Sequence, residues 1–190
     1  MDLNGKLVRR GLVDGRPFAV FDGLVGPADL ERLVTSLDRG NFTHDEVARP
    51  DAQQFRHWVV NLAPEVAHAL PLYAPTLAAA AFVAGDGTRY RDYRAYCNFA
   101  TYGDVLLTHT DAQPGAHEMT ALWFMCREWN LEWGGETLLF NAQQDAEQVI
   151  SPRPGRLVLF DGSILHAGRP PQRICFVPRY TLAYKLERQP

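Results

Sequence analysis

"GRLVLFDGSILHAGRPP", residues 155–171, carries an apolar run into an Asp161-Gly162 turn and sets His166 just beyond it. The run reads as a strongly apolar strand. A glycine turn after such a strand can swing the next side chains from the edge of a core toward a cavity. From Thr88 onward the same texture repeats, in "RYRDYRAYCNFA", "VLLTHTD", "EMTALWFMC", "ETLLFNA", "EQVIS", "RICFV" and "RYTLAYKL". These short runs are rich in β-branched and aromatic residues and are punctuated by Gly, Pro, Asn or Asp. No helical periodicity separates them, which predicts an antiparallel sandwich or closed barrel of about eight strands.

Before Thr88 the pattern is mixed. "KLVRRGLV" and "RPFAVFDGLV" read as strands, and "GPADLERLVTSLDRG" (26–40) as a helix with Pro27 in its first turn. Leu30, Leu33, Val34 and Leu37 make its apolar stripe, and Gly40 stops it. A second helical region is expected from Pro64 to about Ala84, broken by Pro71 and Pro75. Residues 41–58 are polar and irregular, and read as a mobile loop or lid. The expectation is therefore one α+β domain over 1–190, with N-terminal strands and supporting helices in 1–87 and the β core in 88–190.

Composition narrows the function. Hydrophobic content of 46% with 22% charged residues fits a soluble globular chain. A net charge of −3 gives no reason to expect nucleic acid or an anionic membrane as partner. The apolar run "LAAAAFVA" is far shorter than the roughly 20 residues of a membrane span. Cys97, Cys126 and Cys175 form no CxxC pair, so neither a disulfide framework nor a zinc knuckle is expected, and a cytoplasmic location fits. Nothing in the pattern reads out an oligomeric state.

The chemistry concentrates in "VLLTHTDAQPG" (105–115). Residues two apart on a strand face the same way, so His109 and Asp111 can converge while Thr110 turns aside. A bare HxD is more often a solvated turn than a metal site, and two ligands hold a divalent ion poorly. His166 is the best third donor. Two histidines and one carboxylate leave three positions of an octahedral ion open, which suits non-heme Fe(II), though the same set also suits zinc. His44, His57, His68 and His117 lack such a pattern and read as surface or satisfied polar residues.

Residues 88–186 resemble the double-stranded β-helix (jelly-roll, cupin-like) core of the 2-oxoglutarate/Fe(II)-dependent dioxygenases, in the prolyl-4-hydroxylase-like branch. The matching pieces, in order, are "NFATYGDVLLTHTDA", "EWGGETLLF", "PRPGRLVLFDGSILHAG" and "RYTLAYKL", and "FDGLVGPADLERLVTSL" resembles the strand and helix that precede that core. The resemblance implies that His109, Asp111 and His166 ligate iron, with 2-oxoglutarate and O2 as co-substrates. It implies a basic residue on the strand after the distal histidine to grip the far carboxylate of 2-oxoglutarate. Arg179 matches best, with Arg173 as rival, and a guanidinium offers two parallel charge-assisted bonds. Thr181 shares the face of Arg179. Tyr102 matches a tyrosine that contacts 2-oxoglutarate in relatives, or else packs in the "TYGD" turn. Where some relatives place a second tyrosine, this chain has Phe124.

The activity implied is hydroxylation of a C–H bond with release of succinate and CO2. Members that transfer chlorine lack the carboxylate, and Asp111 is present. The chain's shortness favours a small-molecule substrate such as a free amino acid or biosynthetic intermediate, with a peptidyl (prolyl-type) substrate as the alternative. Arg94, Asn98 and Trp123 are the expected substrate contacts, with Arg127 near the mouth. Other classes left open are a metal-dependent cupin-like enzyme without 2-oxoglutarate and a non-catalytic binding module.

Overall fold

A computed structural model describes residues 2–85 and 87–189. The strands are β1 (Leu7–Val13), β2 (Arg16–Phe21), β3 (Thr43–Glu46), β4 (His57–Leu62), β5 (Tyr90–Ala100), β6 (Met119–Met125), β7 (Thr137–Phe140), β8 (Ala146–Ile150), β9 (Leu157–Asp161), β10 (Leu165–Gly168) and β11 (Arg179–Arg188). The helices are α1 (Pro27–Asp38), α2 (Pro64–Ala69) and α3 (Tyr73–Ala84). A large sheet runs β1-β2-β9-β6-β11-β5-β4-β3, and a small one β10-β7-β8. The chain alternates between the two sheets from β6 onward, so it winds as a double-stranded β-helix with the site between the layers.

The order of side chains along β11 shows how one strand serves two purposes. Tyr180, Leu182, Tyr184 and Leu186 point to the outer face, where α1 and α3 cover them together with Phe21, Trp123, Met125, Leu157 and Leu159. Arg179, Thr181, Ala183 and Lys185 point the other way, into the space between the sheets. The strand is buried on both faces for nearly its whole length, so strict alternation of polarity is lost. The alanine-rich stretch of α3 lets that helix lie close to the sheet. Trp123 Nε1 donates to Thr76 Oγ1 at 2.9 Å and Tyr184 donates to the Ala67 carbonyl at 2.9 Å, tying both helices to the barrel. Arg127 reaches Glu31 and Asp38 and fastens α1 to the end of β6.

Several expectations need correction. "VLLTHTD" forms no named strand; it touches the small sheet through a single bridge, His109 with His166. "RICFV" lies in turns, whereas Leu165–Gly168, not anticipated as a strand, is β10. Pro75 does not break a helix but sits in the first turn of α3, where its missing N–H costs nothing. The segment 41–58 contains the edge strand β3, paired with β4, so it is not wholly irregular. The four N-terminal strands lie in the same large sheet as β5, β6, β9 and β11.

Candidate functional site

Backbone pairing brings the two histidines together. His109 N–H donates to the His166 carbonyl at 3.0 Å, and His166 N–H donates back at 2.9 Å. Residues paired directly across an antiparallel contact carry their side chains on one face, and the rings lie 4.4 Å apart between centroids. Asp111 follows two residues on. Its N–H and that of Ala112 both donate to the Gly162 carbonyl, at 2.8 and 3.0 Å. A Cβ at Gly162 would stand 3.0 Å from Ala112 Cβ. The glycine of the turn therefore permits the close approach that seats Asp111.

The three side chains offer ligand atoms that all lie within 4.8 Å of one another. His109 Nε2 is 3.5 Å from Asp111 Oδ1, and His166 Nε2 is 3.4 Å from Asp111 Oδ2. Each histidine Nδ1 faces a carbonyl, Leu107 at 3.0 Å and Ile164 at 2.9 Å. A carbonyl only accepts, so both Nδ1 atoms must carry the proton, and both Nε2 lone pairs are left for an ion. Burial depresses the His166 pKa to about 4, keeping the ring neutral as a ligand must be. Burial alone would raise Asp111, but His166, Lys185 and His109 hold it well below the usual carboxylate range. The donor set fits a divalent cation with open positions.

Around the triad is a cavity of about 350 Å³. Arg179 stands at one end, 3% exposed, with its guanidinium over the Phe124 ring. Its Nε donates to the Gly135 carbonyl at 2.6 Å, and its two Nη atoms reach Thr137 Oγ1 at 3.0 Å and Thr181 Oγ1 at 3.4 Å. The "WGGE" bend supplies that carbonyl. Gly135 adopts φ +79°, and a Cβ there would lie 2.8 Å from Trp129 Cζ2. A guanidinium has five N–H groups, and three are accounted for. The remaining two, one on each Nη, are what a bidentate carboxylate needs. No carboxylate pairs with Arg179 among the described residues, and burial lowers its pKa to about 10.

The other expected contacts divide. Thr181 and Asn98 line the cavity, and the Asn98 Oδ1 is buried without a hydrogen-bond partner. Arg94 lines it too, but its guanidinium is committed to Glu46, at 2.6 and 3.1 Å, and to Asn61. It holds β3 to the sheet rather than waiting free for substrate. Tyr102 is 60% exposed in its turn and forms no part of the cavity wall. Trp123 is a core residue: the alternation of β6 sends Leu122 and Phe124 inward and Trp123 to the helices. Arg173 lines a separate surface groove, and Arg127 binds α1 instead of the mouth.

Among the cavity residues that the sequence did not single out, four bear on the site. His57, read as surface or satisfied, is buried with Nδ1 unpartnered, and burial lowers its pKa. Glu46 comes from the polar segment whose pairing was not foreseen. Thr120 and Lys185 both meet Asp111 at Oδ2. The period of two along "RYTLAYKL" places Lys185 on the face of Arg179 and Thr181, so that signal was available.

The family model described as "2OG-Fe(II) oxygenase superfamily" matches residues 97–184. No match was found among curated protein sequences. Among solved structures the chain is similar to a prolyl-4-hydroxylase from Pseudomonas putida, with 16% identity, TM-score 0.66, and 91% of this chain and 93% of that one covered. It is similar to HygX from Streptomyces hygroscopicus, solved with nickel and 2-oxoglutarate bound, with 14% identity, TM-score 0.63, and coverage of 90% and 82%. EctD from S. alaskensis, solved with 2-oxoglutarate and 5-hydroxyectoine, gives 14% identity, TM-score 0.60, and coverage of 90% and 71%. At these identities the likenesses speak to fold.

Proposed function

We propose that this chain is a 2OG-Fe(II) oxygenase, the superfamily whose model matches residues 97–184, and that it hydroxylates a small molecule, with His109, Asp111 and His166 holding Fe(II). Arg179 and Thr181 receive the far carboxylate of 2-oxoglutarate. The bound iron and co-substrate supply the oxidising power: substrate, O2 and 2-oxoglutarate give hydroxylated substrate, succinate and CO2. The chain's own residues provide position and exclusion. Arg179 fixes the co-substrate at one end with its two unspent N–H groups, and the Nδ1 bonds to Leu107 and Ile164 fix the ring planes of the ligands. Leu106, Leu107, Leu122 and Ala183 supply the apolar part of a wall that is otherwise polar. Asp111 favours hydroxylation over halide transfer, since it takes the place a halide needs.

One observation carries the preference for a small molecule: the segment that begins in β3 roofs part of the cavity. Glu46, Val47 and Ala48 line it from above. Arg94 pins Glu46, and Arg49 donates to the Thr108 carbonyl at 2.9 Å, next to His109. The 350 Å³ beneath must hold co-substrate and substrate together, and ligand pockets start at about 300 Å³. The second reading, a prolyl-type peptide hydroxylase, draws on the likeness to the Pseudomonas putida enzyme and requires the roof to open.

The test is succinate release with Fe(II), 2-oxoglutarate and O2 across free amino acids, small amides and proline-containing peptides. Stimulation by a small molecule is expected. Stimulation by peptides alone would move the assignment to the second reading, and no iron-dependent succinate under any condition would refute both.

A further inference from the structure

Lys185 is a buried ammonium beside a metal ligand, and the reading above gives it no task. Its residue is 7% exposed, and its Nζ pairs with Asp111 Oδ2 and donates to Thr120 Oγ1 at 3.2 Å. The Thr120 hydroxyl donates to the same Oδ2 at 2.5 Å. A carboxylate has about two acceptor sites on each oxygen. Both sites of Oδ2 are therefore filled from inside the protein, by donors on β11 and β6. Oδ1 accepts from no lysine or threonine among the described residues; it stands 3.5 Å from His109 Nε2, as Oδ2 stands 3.4 Å from His166 Nε2, so the two oxygens differ in their donors and not in their distance from the ligand rings.

We infer that Lys185, with Thr120, is a positioning residue that denies Asp111 Oδ2 to the metal, so that the carboxylate binds through Oδ1 alone and a coordination position stays open for co-substrate or oxygen. Without that restraint a carboxylate in this pocket is free to chelate with both oxygens. The ammonium also sets the charge of the site. Asp111 and Lys185 sum to zero before any ion enters, so the ion keeps its full double charge toward the dianionic 2-oxoglutarate. Removing the ammonium favours the cation and disfavours the dianion. Loss of a merely structural lysine would loosen both, so the opposed directions are diagnostic.

The inference rests on the triad being the metal site, and the experiment separates the two. Full-length wild type and Lys185→Met are titrated with Mn(II) by calorimetry without co-substrate, and then, Mn(II)-loaded, with 2-oxoglutarate. Partners of metal ligands shift affinity by on the order of ten- to a hundredfold. Lys185→Met is expected to bind Mn(II) about tenfold tighter and 2-oxoglutarate about tenfold more weakly. The Co(II) absorption bands of the variant should shift with the change in coordination. Unchanged or weaker Mn(II) binding by a folded variant overturns the inference and leaves the triad assignment intact. Failure of the wild type to bind Mn(II) overturns both. If Lys185→Met does not fold, the near-isosteric Thr120→Val removes the other donor and keeps the charge, so the Mn(II) affinity alone decides: tighter binding supports the inference, and unchanged or weaker binding overturns it.

Discussion

Replacing Arg179 by methionine separates binding from stability. The wild-type guanidinium offers 2-oxoglutarate two N–H groups, because the other three are spent on Gly135, Thr137 and Thr181. Hydrogen bonds to charged groups are worth about 1.5–3 kcal/mol each. Taking the lower figure for both gives about 3 kcal/mol, or roughly a hundredfold in affinity. Stability of the ligand-free protein should respond differently. Burial, opposed only in part by the charge of Glu136, pulls the guanidinium down to about 10, an unfavourable contribution of roughly 3 kcal/mol that the variant no longer carries. Losing three internal hydrogen bonds, at about 1 kcal/mol each, offsets that gain. The ligand-free variant should therefore melt within a few degrees of wild type, while the rise in Tm produced by 2-oxoglutarate disappears. Calorimetric titration of the Mn(II)-loaded protein measures the affinity directly. Arg179→Lys should fall between the two, since an ammonium cannot make the paired contact. Arg173→Ala is the control and should bind normally. If Arg179→Met keeps wild-type affinity, or Arg173→Ala loses it, the assignment of the carboxylate end is wrong.

Two other outcomes follow from the same geometry. Asp111→Ala should abolish metal binding and also destabilise the protein by about 3–5 kcal/mol, because it leaves the Lys185 ammonium buried and unpaired. The double variant with Lys185→Met should recover most of that stability in urea titration but no metal binding, and a single variant as stable as wild type would disprove the pairing. The metal-free protein should weaken as pH falls from about 6.5 toward 4. His166, held near 4 by burial, refuses a proton that the unfolded chain accepts, so its contribution is complete above 6.5 and is lost through that window. His57 is lowered by burial too and acts in the same direction. Urea midpoints at pH 7.5 and 4.5 should differ less in His166→Asn than in wild type, and equal differences would refute the role of His166.

Much of this protein was legible in its sequence, because strand-forming runs and turn residues are local signals. The succession from "RYRDYRAYCNFA" to "RYTLAYKL" announced a β roll, and the parity of HxD put His109 and Asp111 on one face. The order of motifs pointed to His166 and Arg179. Parity also named Thr181 and Asn98 as inward, as the register bears out. It could not say which face of β6 was inward, so Trp123 was misplaced. In a sheet buried on both sides, polarity does not mark the face that meets helices.

What only the tertiary structure decided is partnership. Sequence supplied Arg94, Glu46, Lys185 and Thr120 as separate polar residues, tens of positions apart. Folding joined Arg94 to Glu46 across 48 residues, so a guanidinium that lines the cavity also pins its roof. It laid Lys185 against Asp111 and left Arg179 with no ion-pair partner among the described residues. A charge's role depends on what desolvates it and what lies within a few ångströms. Those distances are set by sheet order and register, which a linear pattern does not contain.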